Sequence, residues 1–204
     1  IIGVPMKLYW WWTTNPQKVR LALEEMELPY TLQTVDLFQR ENKTDDYQAV
    51  SPRCRVPALE LDNGIILWES GAALTWLAQT HGKLWPQSEE ARATALNLLY
   101  MESAAFQEQA SVHFFNRVIL PTIGKEPDEA RILKARKKIR PLLQILSEQL
   151  GDAPFLLGEL TVVDYAFAPW LPVLYLDDFP NLITWRTRLE TRDAWKRCDF
   201  RYSS

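Results

Sequence analysis

Two short segments of the chain carry residues whose types and spacing could do chemistry. The first is Arg55-Val56-Pro57-Ala58-Leu59 and the second is Trp68-Glu69-Ser70-Gly71. Between them, Leu61-Asp62-Asn63-Gly64 is a hairpin turn signal, so the stretch reads as two strands and then a helix start. A proline cannot donate to a sheet ladder, which puts Pro57 at the start or edge of its strand. The backbone of Val56 is then free to pair with something that is not protein. Glu69 and Ser70 open a helix, where unpaired N–H groups and the helix dipole favour an anion. A free strand edge beside such a helix start suits a small peptide carrying a carboxylate. Each feature alone reads as an ordinary strand-edge proline or a capped helix; together at this spacing they predict a site.

The elements that must position these residues alternate over the first eighty positions. Met6–Trp11 reads as a strand, Pro16–Met26 as a helix, Tyr30–Leu37 as a strand and Gln39–Ala49 as a short polar helix. The hairpin 56–68 follows, then a helix from Glu69 to Thr80. This order, βαβαββα, predicts a small mixed sheet with helices packed on it. His81-Gly82-Lys83-Leu84-Trp85-Pro86 breaks the pattern. Beyond it the chain reads as helices only, over 88–118, 127–150, 161–173, 181–190 and 192–198. The expected organisation is an α/β domain over 1–81, a linker over 82–87 and an all-α domain over 88–204. Within the last, Thr161-Val162-Val163-Asp164 has the spacing of a capping box with Asp in place of Glu.

Composition narrows the function classes. The chain has 204 residues, 47% hydrophobic and 24% charged, with a net charge of −3, so nothing recommends nucleic acid as a partner. The basic run Lys134–Arg140 reads as a solvated helix face. Nine tryptophans suggest aromatic-lined pockets or interfaces. Cys54 and Cys198 make neither a disulfide framework nor a metal motif, which fits a reducing, cytoplasmic location. No apolar run is long enough to span a membrane, and Ile1–Pro5 is too short for a signal peptide.

The Val-Pro-Ala-Leu, Asp-Asn-Gly and Glu-Ser-Gly motifs resemble the glutathione-binding half of the cytosolic glutathione transferase family. The Thr161–Asp164 box and the tail Asp178-Phe179-Pro180-Asn181-Leu182, with Trp185 and Arg188-Leu189, resemble that family's helical domain, as found in bacterial members. The resemblance spans nearly the whole chain. It implies a thioredoxin-like domain (βαβαββα) followed by an all-helical domain, a cis Pro57, and glutathione as co-substrate with no metal. It further implies that Val56 pairs with the cysteinyl backbone of glutathione and that Glu69 and Ser70 hold its γ-glutamyl end. Arg55 is the best-placed candidate for the glycine end, ahead of Gln39, Arg40 and Lys43. Cys54 stands where the family usually has glycine, which questions the local backbone.

Glutathione conjugation requires a thiolate, and an unperturbed thiol titrates near 8.5. The turn after the first strand is where the family supplies donors to the sulfur. Here it reads Trp11-Trp12-Thr13-Thr14-Asn15-Pro16, and it resembles Nu-like and Theta-like members. Thr13 is the expected donor, with Asn15 or a backbone N–H assisting and Thr14 as runner-up. Asn15 before Pro16 equally reads as a helix N-cap with proline at the first helical position. No cysteine lies in the turn, which argues against thiol transfer through an enzyme cysteine. Tyr9 is expected to pack on the sheet. Trp11, Trp12, Tyr100, Phe106, Gln107, His113, Phe114 and Arg117 are candidate walls for a hydrophobic electrophile, with His113 read as a satisfied interior or surface histidine. The resemblance implies a homodimeric transferase. The alternatives are glutathione-dependent disulfide or peroxide reduction and a non-catalytic scaffold.

Overall fold

A computed structural model describes residues 5–198 and 200–202. The chain forms two compact units: residues 1–83 with 193–200, and residues 84–192 with 201–204.

The first unit is a four-stranded mixed sheet in the order β2-β1-β3-β4, made of β1 (Met6–Trp10), β2 (Tyr30–Thr34), β3 (Ala58–Glu60) and β4 (Ile66–Leu67). β1 pairs parallel to β2 and antiparallel to β3, and β3 pairs antiparallel to β4. Leu8 sits at the centre, opposite Leu32 on one side and Leu59 on the other, and is fully buried. The parallel crossover is helix α1 (Thr14–Met26), which buries Val19, Ala22, Leu23 and Met26. It stops at Glu27, whose left-handed conformation (φ 56°) lets its N–H bond back to Glu24 and Leu23. The polar segment expected as one helix forms a 3₁₀ turn, Glu41–Lys43, and then α2 (Asp45–Val50), capped by Thr44 through the Tyr47 N–H. Helix α3 (Ser70–His81) completes the βαβαββα order.

The second unit is helical. Its long first segment runs as α4 (Glu89–Met101), a π turn over Glu102–Phe106, α5 (Gln107–Phe114), a second π turn over Phe115–Ile119, and α6 (Leu120–Thr122). The first π turn carries the buried Glu102, whose carboxylate accepts the Trp170 indole N–H at 2.9 Å. Helix α7 (Glu129–Leu150) follows, then α8 (Val162–Phe167) with a 3₁₀ continuation over Ala168–Val173, and α9 (Pro180–Glu190). The Thr161–Asp164 box forms as expected. Buried Asp164 accepts from the Thr161 N–H and hydroxyl, from the Leu156 N–H and from the Trp185 indole.

The last helix, α10 (Asp193–Arg197), differs from expectation in its allegiance. It lies in sequence within the segment read as all-helical, yet it clusters with the first unit. The Arg197 guanidinium reaches the Glu24 carboxylate and carbonyl of α1, and Arg20 donates to the Arg197 carbonyl at 2.9 Å. Local sequence carries helix propensity but not this long-range pairing.

Candidate functional site

Three segments of the first unit converge: the turn after β1, the loop before β3 and the start of α3. The Val56–Pro57 peptide is cis, and Pro57 sits immediately before β3, as a residue with no N–H to donate must. The carbonyls leading to it are taken up by protein. The Asn42 side chain donates to the Cys54 carbonyl at 2.7 Å. The Tyr47 and Ser51 hydroxyls each donate to the Arg55 carbonyl at 2.9 Å. Cys54 itself adopts φ 51°, so the left-handed conformation that glycine would take freely is imposed here on a cysteine. Val56 is the first residue past these anchors, and among the described residues its backbone N–H and carbonyl have no hydrogen-bond partner.

The Val56 side chain is buried in a small cluster with Val35 and Tyr47, against which Tyr9, Trp11, Leu37 and Val50 pack. Trp11 thereby ties the turn after β1 to the cis-proline loop. The rings of Trp11, Trp12 and Phe38 meet edge to face or tilted at 5.9–6.3 Å, an aromatic wall beside Thr13. The indole N–H of Trp11 is buried and has no acceptor among the described residues.

Thr13 is the N-cap of α1, in extended conformation, and its hydroxyl makes no capping hydrogen bond. This corrects the reading of Asn15 as cap with Pro16 at the first helical position. Asn15 and Pro16 are the second and third residues of the helix. A proline is tolerated there because the N–H groups of the first turn have no intrahelical acceptor in any case. Relieved of capping, Asn15 leaves its side-chain oxygen buried without a partner among the described residues. Tyr9 packs edge to face on Tyr47 and donates to Glu60 at 3.0 Å. Burial and that bond push its phenol up, away from ionisation, in line with a packing role.

Glu69 is the N-cap of α3, and Ser70, its first residue, is buried. The Glu69 carboxylate pairs at 2.5 Å with Arg53, which links the α3 start to the cis-proline loop. Arg53 was not among the expected site residues. Its position two residues before Arg55 in an exposed loop gave no signal of the pairing. Arg55 is exposed, and its guanidinium has no acceptor among the described residues. Gln39, Arg40 and Lys43 are also exposed.

The aromatic candidates on the second unit divide differently. Phe106 is fully buried against Phe167 with ring centres 5.0 Å apart, and Phe114 packs on Trp170 and Tyr202. Both are core residues rather than pocket walls. Tyr100 is 71% exposed, Gln107 is half-buried, and Arg117 stacks on Tyr175. His113 is interior, as expected, but unsatisfied: it is buried and neither ring nitrogen has a partner among the described residues. Among the described residues no group of His, Cys, Asp and Glu could hold a metal ion, and no helix is long and apolar enough to cross a membrane. Both cysteines are free, and burial pushes the Cys198 thiol up to about 12.

Comparison with known proteins gives two family matches, to the glutathione S-transferase N-terminal domain over residues 12–80 and C-terminal domain over residues 106–193. The glutathione S-transferase GstB of Escherichia coli (strain K12) is 32% identical over 91% of this chain and 92% of its own. The disulfide-bond oxidoreductase YfcG of the same strain is 29% identical over 92% of this chain and 91% of its own. A glutathione transferase family member from Pseudomonas fluorescens pf-5, solved with two glutathione bound, superposes with a TM-score of 0.85 at 27% identity, covering 96% of this chain and 92% of that one.

Proposed function

The chain belongs to the glutathione transferase family, and we propose that it activates the glutathione thiol for attack on a hydrophobic electrophile. The observation that carries this reading is the unpaired Val56 backbone at the cis proline, flanked by Trp11 on one side and the Glu69–Ser70 helix start on the other. A tripeptide thiol fits these groups. Its cysteinyl N–H and C=O pair with Val56, and its γ-glutamyl end meets Glu69, Ser70 and the positive end of α3. Arg53 holds Glu69 in place, and Arg55 is free to meet the glycine carboxylate. The sulfur then points to the start of α1, where the Thr13 hydroxyl is not spent on capping. A donor and a helix N-terminus both lower a thiol's pKa, which raises the thiolate fraction at neutral pH. Asn15 assists through its buried carboxamide, and the Trp11–Trp12–Phe38 wall suits a flat apolar partner.

The test is calorimetric titration with reduced glutathione, paired with conjugation of a chlorinated nitroarene, on the wild-type and Thr13→Ala proteins. Binding by both, with conjugation falling about a hundredfold in the variant, is the expected result. Equal turnover by the two would remove Thr13 from the reaction, and absence of glutathione binding would leave a non-catalytic scaffold. The relative named as a disulfide-bond oxidoreductase favours a second reading, reduction of disulfides by glutathione. Turnover of hydroxyethyl disulfide without conjugation would select it. The family's usual homodimer is also proposed, and sedimentation showing a monomer at micromolar concentration would reject it.

A further inference from the structure

We propose that a cleft in the second unit, between α5, α7 and the segment 175–179, binds a small oxyanion, a carboxylate or a phosphate, through His113 and Arg136, with Arg117 adding positive charge from the same Tyr175 ring. This site is separate from the residues assigned to glutathione and does not depend on that reading. The cleft is small and open to solvent, and is lined by His113, Arg136, Ile139, Arg140, Leu143, Tyr175, Asp178 and Phe179.

The floor of the cleft is an unsatisfied donor. His113 is fully buried, its ring lies edge to face on Tyr175 at 5.8 Å, and neither nitrogen has a hydrogen-bond partner among the described residues. Burial, then the charges of Arg117 and Arg136, hold its pKa down to about 4. At neutral pH the ring is therefore uncharged and offers one N–H donor and one acceptor. Buried polar groups are normally paired, so an open one facing a cleft calls for an external partner.

The walls supply positive charge in surplus. Arg117 and Arg136 both stack on the Tyr175 ring, 4.7 and 4.5 Å from its centre. Arg117 donates to the Val173 carbonyl at 2.7 Å, which fixes its guanidinium but does not neutralise it. Neither arginine has a carboxylate partner among the described residues. The single acid of the cleft, Asp178, is paired with Arg140. Two guanidiniums line the cleft against one carboxylate, which leaves Arg136 unpaired; Arg117, outside the lining but on the same Tyr175 ring, adds a second positive charge near the uncharged donor, and a planar guanidinium fork suits an oxyanion. The basic run on α7 is thus more than a solvated face. Its exposed members Arg136 and Arg140 reach the cleft, while Lys137 and Lys138 do not line it.

The chain has only two histidines, so each ring is readable separately by proton NMR. The test follows the His113 ring signals, assigned with a His81→Gln variant, during titration with inorganic phosphate and separately with benzoate at fixed ionic strength. The expected result is a saturable shift of His113, with His81 unmoved, and a His113 pKa that rises as the anion binds. The affinity should fall about tenfold in Arg136→Gln and in Arg117→Gln, and stay unchanged in Lys137→Gln. Saturation by phosphate, benzoate or both supports the site, and the ratio of affinities names the ligand's source. No shift, a drift that does not saturate, or wild-type affinity retained in both arginine variants overturns it and leaves water as the occupant.

Discussion

Replacing His113 by leucine should remove most of an acid-triggered loss of stability that the structure builds into the second unit. An ordinary histidine titrates near 6.5, and burial with Arg117 and Arg136 lowers this one to about 4. The unfolded chain therefore holds the proton more tightly than the folded one. The stability that His113 contributes is whole above pH 6.5 and drains away as the pH falls toward 4. The loss works out at about 1.4 kcal/mol at pH 5.5 and about 2.5 kcal/mol at pH 4.5. Asp164 acts in the opposite sense over an overlapping window. Burial raises its carboxyl from 3.8 to about 6 despite four donors, so acidification through that range favours the fold. Asp164, Asp178 and the arginines are present in both proteins, so the difference between wild type and His113→Leu isolates the imidazole. Urea unfolding at pH 7.5, 5.5 and 4.5 measures it. The gap between the two midpoints should move by about 1 M in favour of the variant between the highest and lowest pH. A gap that stays constant across the three conditions would refute the burial argument.

Two further perturbations test other parts of the fold. Asp164→Ala leaves the N–H groups of Leu156, Thr161 and Trp185 buried without an acceptor, at about 1–3 kcal/mol each. The melting temperature should fall by about 10 °C or more, and a fall within scan error would mean the box is not holding α8 and α9. Cys54→Gly relieves a left-handed backbone at φ 51° and should stabilise the first unit by about 0.5–1 kcal/mol. Thermal unfolding checks this, and a destabilised variant would show that the thiol packs better than the backbone suffers.

The hairpin, the strand-edge position of Pro57 and the start of α3 were legible because each is written in adjacent residues. Leu61-Asp62-Asn63-Gly64 can hardly be anything but a turn, and Pro57 cannot sit inside a ladder. The Thr161–Asp164 box is local in the same way. What sequence could not carry is pairing between distant side chains. Nothing in the loop at 51–55 says that Arg53 rather than Arg55 meets Glu69. Nothing in 193–197 says that Arg197 turns back to Glu24 on α1. The start of α1 failed for a subtler reason. Asn15-Pro16 satisfies the rules for a cap and a first helical residue, but Thr13 is also a good cap residue, and the helix gains two residues by starting earlier.

Buried polar atoms without partners separate structural side chains from available ones. Arg20 and Arg186 each have an open Nε, yet Arg20 reaches the Arg197 carbonyl through another nitrogen, and Arg186 lies 3.4 Å from Glu190. Both are spoken for. Trp11 has a single polar atom, so when its N–H is open the residue has no other bond to make. His113 has two polar atoms, and both are open. By this measure the turn after β1 and the cleft at His113 are alike, although only the first coincides with motifs that the sequence shares with glutathione transferases. In the sequence His113 reads as an ordinary satisfied histidine. Its distinction comes from the arginines of two separate helical segments converging on Tyr175, and that convergence exists only in the folded chain.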